Sequence, residues 1–60
     1  MYRVTVDKLF LKFDAQTPEQ STLEESDSEA TVFGDENDAL LVTAVMNKLD
    51  GLEYLVSPCS

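Results

Sequence analysis

Residues 34–51 read GDENDALLVTAVMNKLDG, and this pattern predicts an amphipathic α-helix. Asp35 is a suitable N-cap, because its side-chain oxygen can accept a hydrogen bond from the first free backbone amides. Carboxylates in the first turn also suit the positive end of the helix dipole. Gly51 can adopt the left-handed conformation that closes a helix. The apolar positions spaced i, i+3, i+4 and i+7, which should face a core, are Val42, Val45, Met46 and Leu49.

Residues 2–13 alternate between apolar and polar side chains, which is the two-residue period of a β-strand. The alternating apolar residues fall at even positions from Tyr2 to Val6 and at odd positions from Leu9 to Phe13. This change of parity at Asp7-Lys8 predicts one long strand bent by a bulge. A tight hairpin is the alternative, but Asp-Lys lacks the Gly or Asn that such turns prefer.

The rest of the chain predicts a loop and two further strands. Residues 14–21 are polar and contain a proline, so they predict a loop. Residues 22–33 predict a bent strand that is weakest across its acidic middle. Residues 52–56 alternate as a short strand that Pro58 ends. One face of that strand should carry Leu52, Tyr54 and Val56.

These elements predict a small α+β domain of the order strand, strand, helix, strand, with one helix packed on a mostly antiparallel sheet. Sixty residues make one domain at most, so we expect residues 1–60 to form a single acidic domain. A domain of this size buries only about 60% of its unfolded surface, which makes it marginal in stability. The 12 acidic and 4 basic residues give a net charge of −8, whose self-repulsion favours solubility and opposes compaction.

The residue types that most catalytic and metal sites need are missing. The chain has no His and one Cys, Cys59, which excludes a zinc site, an internal disulfide and a His-activated thiol. The stretch from Asp27 is not an EF-hand loop, because Gly34 falls at its eighth position and not its sixth. Paired carboxylates need a pocket to separate their pKa values, and so small a domain can hardly supply one. We therefore expect a binding protein and not an enzyme, with no catalytic residue, metal or cofactor.

Neither nucleic acid nor a membrane is the expected partner. Phosphate contacts need Lys and Arg, and only four such residues stand among 12 acids. No apolar run approaches the 18 residues that indicate a membrane-spanning helix, and the N-terminus shows no signal-peptide pattern. The sequence therefore favours a soluble, cytoplasmic protein.

The acidic residues are concentrated in the middle of the chain, where residues 13–47 contain nine carboxylates and no Lys or Arg. They cannot all pair with the four basic residues elsewhere, so they are either solvated or bound by a partner. Such a field attracts basic surfaces and speeds association. A solvated face that only keeps the chain soluble is the alternative. The candidate partner-binding residues, called the acidic segment below, are Glu24, Glu25, Asp27, Glu29, Asp35, Glu36 and Asp38.

The helix-to-strand part of the chain resembles that of small bacteriophage proteins that inhibit bacterial RNA polymerase. The similar residues run from Asp38-Ala39-Leu40 through Gly51-Leu52-Glu53 to Pro58-Cys59. This covers the last third of the chain, the N-terminal half departs from the pattern, and no inhibitory contact residue carries over. The resemblance implies a phage-encoded inhibitor of a host enzyme. In such proteins, and in anti-CRISPR and anti-restriction proteins, acidic side chains often occupy a site meant for nucleic acid.

The sequence thus favours a small acidic inhibitor or regulator that docks on a basic, nucleic-acid-binding surface of a host protein in the host cytoplasm. Two alternatives stay open. A structural or assembly module would form a homodimer through the sheet, using Phe10 and Leu55 on the face opposite the other apolar strand residues. An antitoxin-like adaptor would instead neutralise its partner through the sheet edge.

Overall fold

The computed structural model, which describes residues 1–59, is a four-stranded antiparallel sheet with one helix packed on it. Its elements are β1 (Tyr2–Val6), β2 (Leu9–Lys12), β3 (Thr22–Glu24), α1 (Glu36–Asp50) and β4 (Leu55–Pro58). The strands lie in the order β3-β2-β1-β4, and every neighbouring pair is antiparallel. The α+β class is confirmed, but three strands precede the helix where two were predicted.

The N-terminal stretch is a β-hairpin, so the prediction of one long bulged strand over residues 2–13 is wrong. Val6 pairs with Leu9, which leaves Asp7 and Lys8 as a two-residue turn. Asp7 has φ = 58°, in the left-handed region that Asp tolerates better than most residues with a side chain. Residues opposite each other across a hairpin share a face. The change from even to odd apolar positions is therefore what this hairpin requires.

The strand predicted over residues 22–33 is interrupted. Only Thr22–Glu24 pairs with β2, and a 3₁₀ helix at Asp27–Glu29 replaces the acidic middle. Its acidic and serine side chains offer the backbone local hydrogen bonds that compete with a strand ladder. Pairing resumes at Phe33, which forms an isolated antiparallel bridge with Tyr2.

The segment that leads into the helix contacts both strands of the hairpin. The Thr31 amide donates to the Leu11 carbonyl at 3.0 Å, and the Thr31 hydroxyl oxygen accepts from the Phe13 amide at 2.8 Å. Phe33 exchanges two backbone bonds of 2.8 Å with Tyr2. This stretch therefore fixes where α1 begins relative to β1 and β2.

The predicted helix is confirmed with both of its caps. The Asp35 carboxylate accepts a hydrogen bond from the Asn37 amide at 2.8 Å. Gly51 has φ = 75°, and its amide donates to the Asn47 carbonyl at 2.7 Å. Both caps satisfy backbone groups that a helix end leaves unpaired.

The core lies between α1 and the sheet, and it buries only part of the predicted helix face. Val42 and Met46 are buried as predicted, but Val45 is 42% exposed and Leu49 is 48% exposed. The helix packs on β1 and β4, and these strands cover only part of its broad apolar sector. The fully or nearly fully buried core residues are Val4, Leu11, Ala39, Val42, Met46 and Tyr54.

The last strand begins later than predicted, at Leu55, and Pro58 is its final residue. Tyr54 and Val56 belong to the core or pack against it, as predicted, whereas Leu52 is exposed. Leu52 lies directly after the helix cap and outside the strand, so the alternation does not extend to it. A short first 3₁₀ helix at Pro18–Gln20 contacts α1.

Candidate partner-binding surface

Two parts of the acidic segment are held near the start of β1. On the open face of the sheet, which α1 leaves uncovered, Asp27 pairs with Arg3 at 3.0 Å. The bridge between Phe33 and Tyr2 fixes the chain just before it enters α1. The second 3₁₀ helix and the first turn of α1 are therefore attached at the same end of β1.

Arg3 organises the open face of the sheet. Its guanidinium carbon lies 5.2 Å from the centroid of the Phe10 ring, which is a cation–π contact. One guanidinium nitrogen, Nη1, donates to Asp27. The Nε atom is buried and has no hydrogen-bond partner among the described residues. Arg3 therefore covers Phe10 and neutralises Asp27 in one arrangement.

Glu29 has a weaker cationic partner in Lys12. Their nitrogen and oxygen atoms are 3.5 Å apart, and both side chains are more than half exposed. Exposed pairs of this kind contribute roughly 0–1 kcal/mol. The two acids of the second 3₁₀ helix are thus partly neutralised by the sheet, and this lowers their value as contacts for a basic partner.

Apart from the N-cap Asp35, three carboxylates of the acidic segment are exposed and have no cationic partner in the described chain. Glu25, Glu36 and Asp38 have no Lys or Arg nitrogen within 4.0 Å in the part of the chain that the structure describes. Glu36 and Asp38 lie in the first turn of α1, where exposed backbone amides add to the polar surface.

The remaining two acids have structural roles. Asp35 is the helix N-cap. Glu24 is half-buried on β3 and accepts a hydrogen bond from the Thr22 hydroxyl at 2.7 Å. The seven predicted residues are therefore not equivalent: Asp27 and Glu29 are partly paired with basic side chains, whereas Glu36 and Asp38 have no such partner in the described chain.

A second acidic feature, which sequence reasoning missed, lies at the opposite end of β1. An open cleft of about 490 Å³ is lined by Val6, Asp7, Glu53 and Leu55. The pairing of β1 with β4 sets Thr5 opposite Leu55. Two residues further along, the same register brings Asp7 near Glu53. Two residues so far apart in sequence come together only through that register, so no local pattern could have indicated the cleft.

The apolar residues of the open face are only partly available. Phe10 is half-buried beneath Arg3, whereas Leu55 is 57% exposed. Both lie beside Thr5, one on β2 and one on β4. A homodimer built on this face would therefore have Leu55 as a more available apolar contact than Phe10.

Tyr54 is the titratable group with a clearly perturbed pKa. Burial, the hydrogen bond to Asp50 and the negative charge of that carboxylate, in decreasing order of effect, together raise the pKa of its hydroxyl to about 12. The Tyr54 hydroxyl donates to Asp50 Oδ2 at 2.5 Å. This pair joins the last residue of α1 to the residue that precedes β4, and neither of them belongs to the acidic segment.

Within residues 1–59, no three His, Cys, Asp or Glu side chains are grouped so that they could hold a metal ion. No helix in that range is both long enough and apolar enough to cross a bilayer. The chain matches no protein-family model, and no curated protein or solved structure is significantly similar to it.

Proposed function

We propose that this chain is a small acidic inhibitor or regulator that docks on a basic, nucleic-acid-binding surface of another protein. The observation that carries the proposal is the exposure of Glu25, Glu36 and Asp38 without cationic partners in the described chain. A net charge of −8 on 60 residues leaves most of this field uncompensated. The protein would block access by occupying the site, without chemistry.

The physical basis is the likeness between exposed carboxylates and phosphates. A surface built to bind nucleic acid carries Lys and Arg side chains that contact phosphate oxygens. Carboxylates accept the same charge-assisted hydrogen bonds. Complementary fields also steer the encounter and raise the association rate.

The resemblance of residues 38–59 to phage inhibitors of RNA polymerase supplies the class of target. On that basis we propose that the chain is phage-encoded and acts on a host enzyme in the host cytoplasm. The antitoxin-like alternative needs a free sheet edge for its partner. Here β3 has three residues and β4 ends in Pro58, and short or proline-bearing edges are poor templates for strand addition.

The test uses the intact chain, immobilised, to capture proteins from a bacterial lysate at about 0.1 M and about 1 M salt. The Debye length falls from roughly 10 Å to 3 Å across this range. We expect a nucleic-acid-binding protein to be retained at low salt and released at high salt. Added duplex DNA or RNA should displace it, because both ligands would use one basic surface.

Two double variants distinguish an effect of the acidic segment on capture from an effect of net charge alone. Glu25→Gln with Glu36→Gln removes two exposed acids of the segment. Asp7→Asn with Glu53→Gln removes two acids from the cleft at the other end of β1, and Asn suits the left-handed turn. Capture should fall for the first variant and persist for the second. Equal capture by both variants and the parent, or retention that nucleic acid does not compete, would overturn the proposal.

A further inference from the structure

The helix presents a second apolar surface that the sheet does not cover. Leu41, Val45 and Leu49 follow one another at i, i+4 and i+8, and they are 66%, 42% and 48% exposed. Leu52, just beyond the helix cap, is exposed as well. These residues adjoin the buried helix face but lie outside the core. The name outer stripe is used below for Leu41, Val45 and Leu49.

An uncovered stripe of this kind indicates an interface. At a rise of about 1.5 Å per residue, eight residues extend the stripe along roughly 12 Å of helix. Single exposed apolar residues are ordinary, but contiguous apolar patches on a small protein mark contact sites. The nature of the partner that covers the outer stripe follows from the neighbouring charges.

Two oppositely charged residues flank the outer stripe on α1. Asp38, Leu41, Val45 and Lys48 are spaced by three, four and three residues, so they lie on one side of α1. The order is acid, apolar, apolar, base, and the spacing reads the same from either end. Lys48 is the one basic residue of α1, and both charged side chains are exposed.

A pattern with this symmetry is complementary to itself when the second helix runs in the opposite direction. Leu41 of each copy then faces Val45 of the other, and Asp38 of each copy faces Lys48 of the other. A parallel arrangement would instead set Asp38 against Asp38 of the other copy. Two-fold interfaces use the same patch on both subunits, and antiparallel helix dipoles also attract.

We propose that the outer stripe is the interface of an antiparallel homodimer, in which Asp38 of each copy pairs with Lys48 of the other. This goes beyond the proposed function and uses a neighbouring surface, which shares Asp38 with the acidic segment. One helix face is small beside the roughly 800 Å² per partner of a standard interface. The dimer should therefore be reversible, with a Kd on the order of micromolar.

The first experiment is sedimentation equilibrium of the intact chain from about 1 μM to about 1 mM at 0.15 M salt, roughly the physiological value. Val45→Glu should keep the chain monomeric, because it puts a charge at the centre of the interface. Val45 is exposed in the monomer, so circular dichroism should show an unchanged fold. The matched control is Leu40→Glu, which alters a residue of similar exposure outside the stripe and should leave dimerisation intact.

A charge exchange tests the antiparallel arrangement. Asp38→Lys and Lys48→Asp should each raise the Kd about 3- to 10-fold, because each creates two like-charge contacts. The combined variant should restore the parent Kd to within about twofold. Asp38→Lys also lowers the net negative charge, so a bulk charge effect would tighten the dimer instead.

Three outcomes would overturn the dimer. The parent chain could stay monomeric up to about 1 mM. Leu40→Glu could weaken dimerisation as much as Val45→Glu does. The combined exchange could fail to restore the Kd. If the parent chain is monomeric and Val45→Glu abolishes capture of a lysate protein, the stripe binds a different protein and the homodimer is wrong. The dimer and the acidic segment share Asp38 alone, and the proposed function is tested separately by variants at Glu25 and Glu36 that leave Asp38 unchanged.

Discussion

Asp50, the last residue of α1, makes two hydrogen bonds to the connection that leads into β4. Its carboxylate accepts from the Leu52 amide at 3.0 Å and from the Tyr54 hydroxyl at 2.5 Å. Hydrogen bonds to a charged group contribute about 1.5–3 kcal/mol to stability. This link lies in the short connection between α1 and β4, so it helps to fix the position of the helix on the sheet.

Tyr54→Phe should lower the free energy of unfolding at pH 7 by about 1–3 kcal/mol. The pKa of Tyr54 is raised in the folded state, from 10.0 to about 12. The contribution of such a group to the free energy of unfolding is fully present below pH 10, and it is lost as the pH rises through 12. The gap between parent and variant in urea unfolding should therefore shrink from pH 9 to pH 12. A gap that is constant across this range would contradict the role of Asp50.

Met46→Ala should cost about 2–5 kcal/mol, because Met46 is 4% exposed and sits in the core between α1 and the sheet. Leu49→Ala is the matched control on the same helix, and its side chain is half exposed. It should change stability by less than about 1 kcal/mol. Thermal melts at low micromolar concentration would compare them. Similar losses for both variants would mean that the helix face has been assigned wrongly.

At the scale of elements, the helix and its caps could be predicted because they are encoded locally, in Asp35, Gly51 and the residues between them. The hairpin could not be predicted so easily, because Asp7 carries a left-handed conformation that Gly or Asn would have signalled. The helix face was predicted only in part. The apolar pattern spans both the core side and the outer stripe, and only the packed sheet decides which part is buried.

The turn of the hairpin yields a prediction of its own. Asp7→Val should destabilise the fold by about 1–2 kcal/mol, because a β-branched residue is disfavoured at positive φ. Asp7→Gly should be neutral or stabilising, since Gly adopts this conformation freely but also gains unfolded-state entropy. Urea unfolding of the two variants measures the difference. If valine is tolerated as well as glycine, residue 7 does not hold the left-handed turn.

At the scale of the whole molecule, the acidic surface is a product of tertiary structure as much as of composition. Composition predicts the charge of −8, but not that Arg3 and Lys12 neutralise Asp27 and Glu29. Those pairs depend on the second 3₁₀ helix lying near β1 and β2. The cleft between Asp7 and Glu53 likewise depends on strand register. The acids left free, Glu25, Glu36 and Asp38, are those that a partner would meet.

The measurement that tests the acidic-surface proposal most directly is the Kd of the captured partner as a function of salt. It compares the parent chain with the two double variants. Glu25→Gln with Glu36→Gln should raise the Kd about 3- to 10-fold at about 0.1 M salt and flatten its salt dependence. The Asp7→Asn, Glu53→Gln control should match the parent in both respects. An unchanged Kd and slope for the first variant, or an equal loss in the control, would contradict the proposal that the acidic segment binds the partner.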